Sequence, residues 1–176
     1  DEFDIVLPDT IRLSKYKHII DWYNDVLNRD YHKSLKTTVA GVPHVFAWGG
    51  LHGAIDNYQG EGLYLNIDVS SYYPALMIEY NYLSRSVVDA DKYRQIRDKR
   101  LRLKKEKSPL QQPYKIVLNS TYGAMKDKYN ALYDPRQANN VCVGGQLLLL
   151  DLIEKLEPYC KIIQSNTDGV IIKLLN

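Results

Sequence analysis

Leu63-Tyr64-Leu65-Asn66-Ile67-Asp68-Val69-Ser70-Ser71-Tyr72-Tyr73-Pro74 and Ile162-Ile163-Gln164-Ser165-Asn166-Thr167-Asp168-Gly169-Val170-Ile171-Ile172 each carry an apolar, strand-like run into an aspartate. The first reads as a strand over 63–69. Pro74 then suits the first turn of a short helix over 74–80, where a missing N–H costs nothing. The second reads as a hairpin, with strands over 159–164 and 170–175 joined by a turn whose Asp-Gly pair is a strong hairpin signal. Between the two lies Lys115-Ile116-Val117-Leu118-Asn119-Ser120-Thr121-Tyr122-Gly123, inside a helix expected over 112–125. There Lys115, Asn119 and Tyr122 fall at i, i+4 and i+7 on one face, with Ile116, Val117 and Leu118 largely on the other. An ammonium, an amide and a phenol on one stripe do not read as core. The plainer alternative is an amphipathic surface helix.

Working outward, residues 11–31 place Tyr16, Ile19, Ile20, Trp22, Tyr23, Val26 and Leu27 close to helical periodicity, and a loop is expected from Ser34 to Pro43. The Gly-rich stretch from Pro43 to Gly62 favours turns or a hairpin. Asp89–Lys107 reads as a long helix closed by Pro109, and with the 112–125 helix it makes a helical hairpin. Asp134-Pro135 caps a third helix running to Glu157, with Leu147, Leu148, Leu150, Ile153 and Leu156 as its buried side. The expected class is α+β: an antiparallel sheet with helices on one face and the helical hairpin inserted between strands.

The 176 residues are 45% hydrophobic and 25% charged, which fits a globular chain and excludes a disordered one. No apolar run approaches the roughly 20 residues that span a bilayer. The first residues, Asp1-Glu2-Phe3-Asp4, lack the pattern of a signal peptide, so a cytoplasmic setting without membrane partners is expected. Cys142 and Cys160 have no metal-site spacing and are expected to be reduced core thiols. The net charge of +2 is unevenly spread: Arg85–Lys107 holds ten Lys/Arg against four Asp/Glu. Arg97, Arg100, Lys104 and Lys107 form one stripe at steps of three, four and three. Two readings stand for it, a polyanion contact and a solvated helix face.

The three blocks, in this order, resemble the active-site signature of family B DNA polymerases: Asp-x-x-Ser-Leu-Tyr-Pro, then Lys-x-x-x-Asn-Ser-x-Tyr-Gly, then Asp-Thr-Asp-Ser. The resemblance runs from about Pro43 to the C-terminus and is greatest to the bacteriophage and prophage branch. It implies a palm sheet with an inserted helical fingers subdomain: an N-terminal helical segment over 1–42, palm over 43–80, fingers over 81–125, and palm with the catalytic hairpin over 126–176. It further implies DNA-directed DNA synthesis on a primer–template from deoxynucleoside triphosphates. Two Mg²⁺ ions about 3.5–4 Å apart serve such chemistry, with Mn²⁺ as a substitute. Metal binding is carried to Asp68, Asp168 and the Val69 backbone, with the two carboxylates expected on adjacent strands within about 8 Å of one another. The amides of Ser71 and Tyr72 would hold the β- and γ-phosphates, as helix starts do, and the Tyr73 ring would exclude a 2′-hydroxyl. Tyr72 also reads as plain core packing. Lys115 would neutralise the triphosphate and protonate pyrophosphate, with Asn119 near the sugar and phosphates, and Arg100 and Lys104 would grip the triphosphate from the fingers. Tyr122 and Gly123 would border the nascent base pair. Gly49 and Gly50, in Ala47-Trp48-Gly49-Gly50, stand where the family has a Tyr-x-Gly-Gly template loop. A simple turn explains them equally well.

Two departures qualify the resemblance. Asn166 replaces the first aspartate of the third block, offering an amide oxygen without charge. A thumb and an exonuclease domain have no counterpart in this sequence, so the chain is expected to be a palm-and-fingers segment, a poor catalyst by itself. The competing readings are a non-catalytic nucleotide- or nucleic-acid-binding remnant or split subunit, and another palm-type nucleotidyltransferase.

Overall fold

The computed structural model describes every residue except Asp56, Asn57, Val69, Ser70, Ser71, Asp168 and Asn176, and describes Asp68 by its backbone alone. The element order is α1 Lys17–Asn24, β1 Ser34–Val39, β2 Val42–Ala47, β3 Gly50–Ala54, β4 Tyr64–Asp68, α2 Tyr72–Glu79, α3 Ala90–Lys105, α4 Gln111–Lys126, α5 Pro135–Leu156, β5 Cys160–Asn166 and β6 Gly169–Leu174. The chain divides into a helical unit, Asp1–Val6 with Ser71–Val141, and a sheet unit, Leu7–Ser70 with Cys142–Asn176. The fold is mixed α+β, with an antiparallel sheet packed against helices. No helix among the described residues is long and apolar enough to cross a membrane.

In the sheet unit the strand order is β1-β2-β3-β5-β6-β4, and each neighbouring pair is antiparallel. Its core joins Phe46, Leu51, Ile162, Val170 and Ile172 of the strands with Ile19 and Tyr23 of α1 and Leu147, Leu150 and Ile153 of α5, none more than 3% exposed. Each such side chain contributes about 1.5–3 kcal/mol by leaving water. Cys142 and Cys160 are buried free thiols. The loop expected over 34–43 is instead the β1–β2 hairpin. Ala40 (φ 52°) and Gly41 (φ 75°) form its two-residue turn, in which both central residues take positive φ and match the strands' twist. Ala-Gly lacks the Asn or Asp that usually announces such a turn. The helix expected over 11–31 is also shorter. Asp25 is extended, and its carboxylate accepts from the Leu27 amide at 2.9 Å, starting a separate 3₁₀ turn over Val26–Asn28. Val26 and Leu27, counted toward the helical stripe, are exposed.

In the helical unit Asp89 caps α3 by accepting from the Asp91 amide, and the Tyr93 hydroxyl donates to the Leu118 carbonyl of α4 at 2.9 Å. Arg85 donates two side-chain hydrogen bonds, at 2.8 and 3.0 Å, to the carboxylate of Asp134. Burial alone would raise the Asp134 carboxyl, but the Arg85 hydrogen bonds and charge outweigh it and hold it below its ordinary value. The apolar side of α4 differs from expectation. Leu118 is buried, whereas Ile116 and Val117 are 58% and 46% exposed. Within the unit, α4 is buried along the Leu118–Met125 line only, so the flanking apolar positions stay in water.

Candidate active site

The first group of candidate residues is set by strand register. β6 lies between β4 and β5, and its first residue, Gly169, is opposite both Asp68 of β4 and Asn166 of β5. Three strand ends therefore converge at Gly169. Adjacent strands lie about 4.8 Å apart, so the backbones of Asp68 and Asn166 flank Gly169 at that spacing on either side. Asp168 and the Val69 backbone, both expected as metal ligands, lie outside the described residues, as does Ser71.

A β-bulge decides which way Asn166 faces. The β5–β6 register shifts between Ile162 and Gln164, leaving Ile163 as the extra residue, while the Ile163 carbonyl accepts from the Ile55 amide. Strict alternation would put Cys160, Ile162, Gln164 and Asn166 on one face. With the bulge, Cys160, Ile162 and Ser165 are buried, and Lys161, Gln164 and Asn166 are exposed. Ser165 then meets a residue that sequence reasoning missed. His44 of β2 is 2% exposed, with Nε2 2.5 Å from the Ser165 hydroxyl and Nδ1 2.8 Å from the Val42 carbonyl. Burial lowers the His44 pKa, favouring the neutral ring, which donates from Nδ1 and accepts the serine proton at Nε2. Gly53 on β3 makes room for the ring, because a Cβ there would sit 2.4 Å from it. The only sequence signal for this pair is the coincidence of a histidine and a glycine at inward positions.

The Gly49–Gly50 turn adjoins the same end. Ala47 pairs with Gly50, and a Cβ on Gly50 would lie 3.4 Å from the Thr167 hydroxyl in the β5–β6 turn. The turn is anchored from behind. The Tyr23 hydroxyl donates to Gln146 Oε1 at 2.7 Å, and Gln146 Nε2 donates to the Ala47 carbonyl at 2.8 Å. The Trp48 indole donates to the Asn28 carbonyl and packs edge-on to Tyr23, with ring centroids 5.2 Å apart. Burial pushes the Tyr23 phenol well up, so the anchor stays protonated.

The second group belongs to the helical unit. Tyr73 of α2 meets Tyr122 of α4 edge-on at 4.7 Å, bringing together residues from the first and second sequence blocks. Tyr72 is 6.2 Å from Tyr73 between centroids, and burial raises its phenol well above the ordinary value. Lys115 and Asn119 are exposed on α4, and a Cβ on Gly123 would meet nothing within 4 Å. Of the basic stripe, Arg97 and Arg100 lie on the packing side of α3, whereas Lys104 and Lys107 are exposed. Arg100 is 3% exposed and donates from Nε to the Gln111 side chain at 3.2 Å, and Arg97 pairs with Glu79 and Asp98. α3 has only Tyr93, Ile96, Leu101 and Leu103 as large apolar residues, so arginine stems complete the surface it buries. Lys104 is exposed, as are Lys92, Lys99, Arg102 and Lys105 around the rest of the helix.

Aspartate and asparagine side chains offer oxygen donors, the kind of ligand that magnesium takes. Among the described residues, to which neither the Asp68 side chain nor Asp168 belongs, no group of three or more His, Cys, Asp or Glu side chains could hold a metal ion. No family model matches the chain. Over 80 residues it is 38% identical to a DNA polymerase of Acidianus bottle-shaped virus (isolate Italy/Pozzuoli), a similarity that covers 43% of this chain and 11% of that polymerase.

Proposed function

We propose that the chain carries the nucleotide-incorporating segment of a DNA-directed DNA polymerase, transferring a deoxynucleotide to a primer 3′-hydroxyl with release of pyrophosphate. The reading is supported by the three ordered sequence blocks, by the partial similarity to a viral DNA polymerase and, above all, by one structural observation. Asp68, the aspartate of the first block, is opposite Gly169 of the third block on the neighbouring strand. In this reading Asp68 and Asp168 hold two Mg²⁺ ions, which when bound supply Lewis-acid stabilisation of the phosphate and a more acidic 3′-hydroxyl. The start of α2, with the Ser71 and Tyr72 amides, receives the phosphates. Lys115 neutralises the triphosphate and gives a proton to the departing pyrophosphate. Tyr73, braced by Tyr122, excludes a 2′-hydroxyl. Arg100 and Lys104 grip the triphosphate, and for Arg100 this means exchanging its Gln111 partner for phosphate. Gly49, Gly50 and Gly123 let template and nascent pair approach backbone.

The test is Mg²⁺-dependent extension of a primer on a DNA template by a polypeptide carrying this segment together with a thumb and an exonuclease domain, compared with an RNA template. Extension on DNA supports the reading. Preference for RNA transfers it to another nucleotidyltransferase, and no extension on either sinks it. One observation favours the non-catalytic alternative: exposed Asn166 presents an amide where a carboxylate would strengthen a cation site. If the site is catalytic, Asn166→Asp should reach half-maximal extension at lower Mg²⁺.

A further inference from the structure

Away from the Gly169 end, the same sheet carries a compact group of lysines and tyrosines that the polymerase reading does not use. Lys161 of β5 is the register partner of Lys173 on β6, which in turn is the partner of Tyr64 on β4. Tyr58 joins them from the segment before β4: the Lys161 ammonium lies 4.9 Å from its ring centroid and the Lys173 ammonium 6.0 Å. Lys173 is also 5.8 Å from the Tyr64 ring, and the two tyrosine rings are 6.4 Å apart. The cluster is held in shape. The Tyr64 hydroxyl donates to the Gly60 carbonyl at 2.5 Å, and a Cβ on Gly62 (φ +151°) would sit 2.5 Å from Lys173 Cε. Like charges directly across a strand pair repel, and among the described residues neither lysine is in an ion pair. The Tyr64 hydroxyl first, then the Lys173 and Lys161 ammoniums, draw the Tyr58 phenol below its ordinary value.

The geometry points to a second DNA contact, in which Lys161 and Lys173, positioned by Tyr58 and Tyr64, hold the phosphodiester backbone of a strand that crosses the exposed face of the sheet. Register partners share a face, so the rows Tyr64–Lys173–Lys161, Asn66–Ile171–Gln164 and Gly169–Asn166 follow one another along that face. Tyr64 and Asp68 are four residues apart on β4, about 13 Å, or about four stacked nucleotides of a single strand. A polyanion relieves the lysine repulsion, and a DNA strand is the polyanion long enough to reach both ends of the face. The inference rests on the proposed polymerase reading, but its test is separate.

Binding of a fluorescein-labelled dT12 to the 176-residue chain is followed by anisotropy at 50–200 mM NaCl. Two phosphate contacts predict that Lys161→Ala/Lys173→Ala lowers the slope of log K against log salt by about 1.4, whereas Lys161→Arg/Lys173→Arg keeps it. In the unmutated chain, saturating dT12 should slow acylation of both lysines at least about threefold, a reading that needs no variant to fold. An unchanged slope in a double-alanine chain with the wild-type circular dichroism spectrum, absence of protection, or equal competition by polyglutamate each overturns the contact. Loss of extension with the slope change retained would overturn the polymerase reading and leave this contact standing.

Discussion

The sheet unit and the helical unit hold their candidate residues by different means. At the Gly169 end of the sheet, positions follow from backbone register and are backed by buried polar pairs, His44 with Ser165 and Tyr23 with Gln146. In the helical unit, Lys115 and Asn119 stand on an exposed helix face, and the α3–α4 packing relies on Arg100, Tyr93 and few aliphatic residues. A register cannot drift without moving every side chain to the other face. A helix packed through arginine stems has less apolar burial to lose, and segments of that kind open at lower free energy. The lesson is a division of labour: a pre-set scaffold where metal chemistry is proposed, and an adjustable surface where the nucleotide is proposed to be gripped.

The largest difference between the two units is expected at Asp68. In the extending polypeptide Asp68→Asn should reduce primer extension by about 10²–10³-fold or more, the scale of losing one transition-state electrostatic contact, while urea unfolding is unchanged because its strand pairing is main-chain. An extension rate within tenfold of the parent would detach the register from the chemistry.

A pair of glycine substitutions tests rigidity against openness. Gly53→Ala forces a Cβ to within 2.4 Å of a buried ring and should destabilise by about 1–3 kcal/mol. Gly123→Ala has open space around it within α4 and should stabilise by up to about 1 kcal/mol, yet lower extension if template approaches there. Urea midpoints for both, with extension for the second, read the outcome. Equal destabilisation would erase the distinction between the units.

Tyr73→Ala should raise ribonucleotide incorporation about tenfold or more while leaving part of the deoxynucleotide activity, measured as the ratio of single-turnover rates. Unchanged discrimination would make the Tyr73–Tyr122 contact ordinary packing.

The smallest effect concerns His44. Its folded pKa lies below the ordinary 6.5, so the unfolded chain binds the proton first. Stability should be level above pH 6.5 and fall as pH drops from there toward the folded pKa, by at most about 1.4 kcal/mol per pH unit. His44→Gln should flatten that limb in urea titrations between pH 5 and 7. An unaltered slope would mean the ring does not carry it.

Much of this was legible in the chain because the signals are local. Hydrophobic period, with Asp89 and Asp134-Pro135 as helix starts, marks α3, α4 and α5 to within a few residues, and the expected β5–β6 hairpin is present, although Gly169, read as part of its turn, is the first residue of β6 and pairs with Asn166. The ordered blocks likewise name Asp68, Lys115 and Tyr73 without any structure. What sequence missed is non-local or atypical. The Ala40-Gly41 turn carries no Asn or Asp, and Asp25 interrupts an otherwise helical pattern by capping a new turn. Strand order and register, which bring Asp68 opposite Gly169, are set by which apolar faces can be buried together, and period-two alternation does not specify partners. The bulge at Ile163 is decided the same way. Only by breaking the alternation can Ser165 reach His44 inside while Asn166 turns outward, and the burial that favours this exists only once β2, β3 and β5 are assembled.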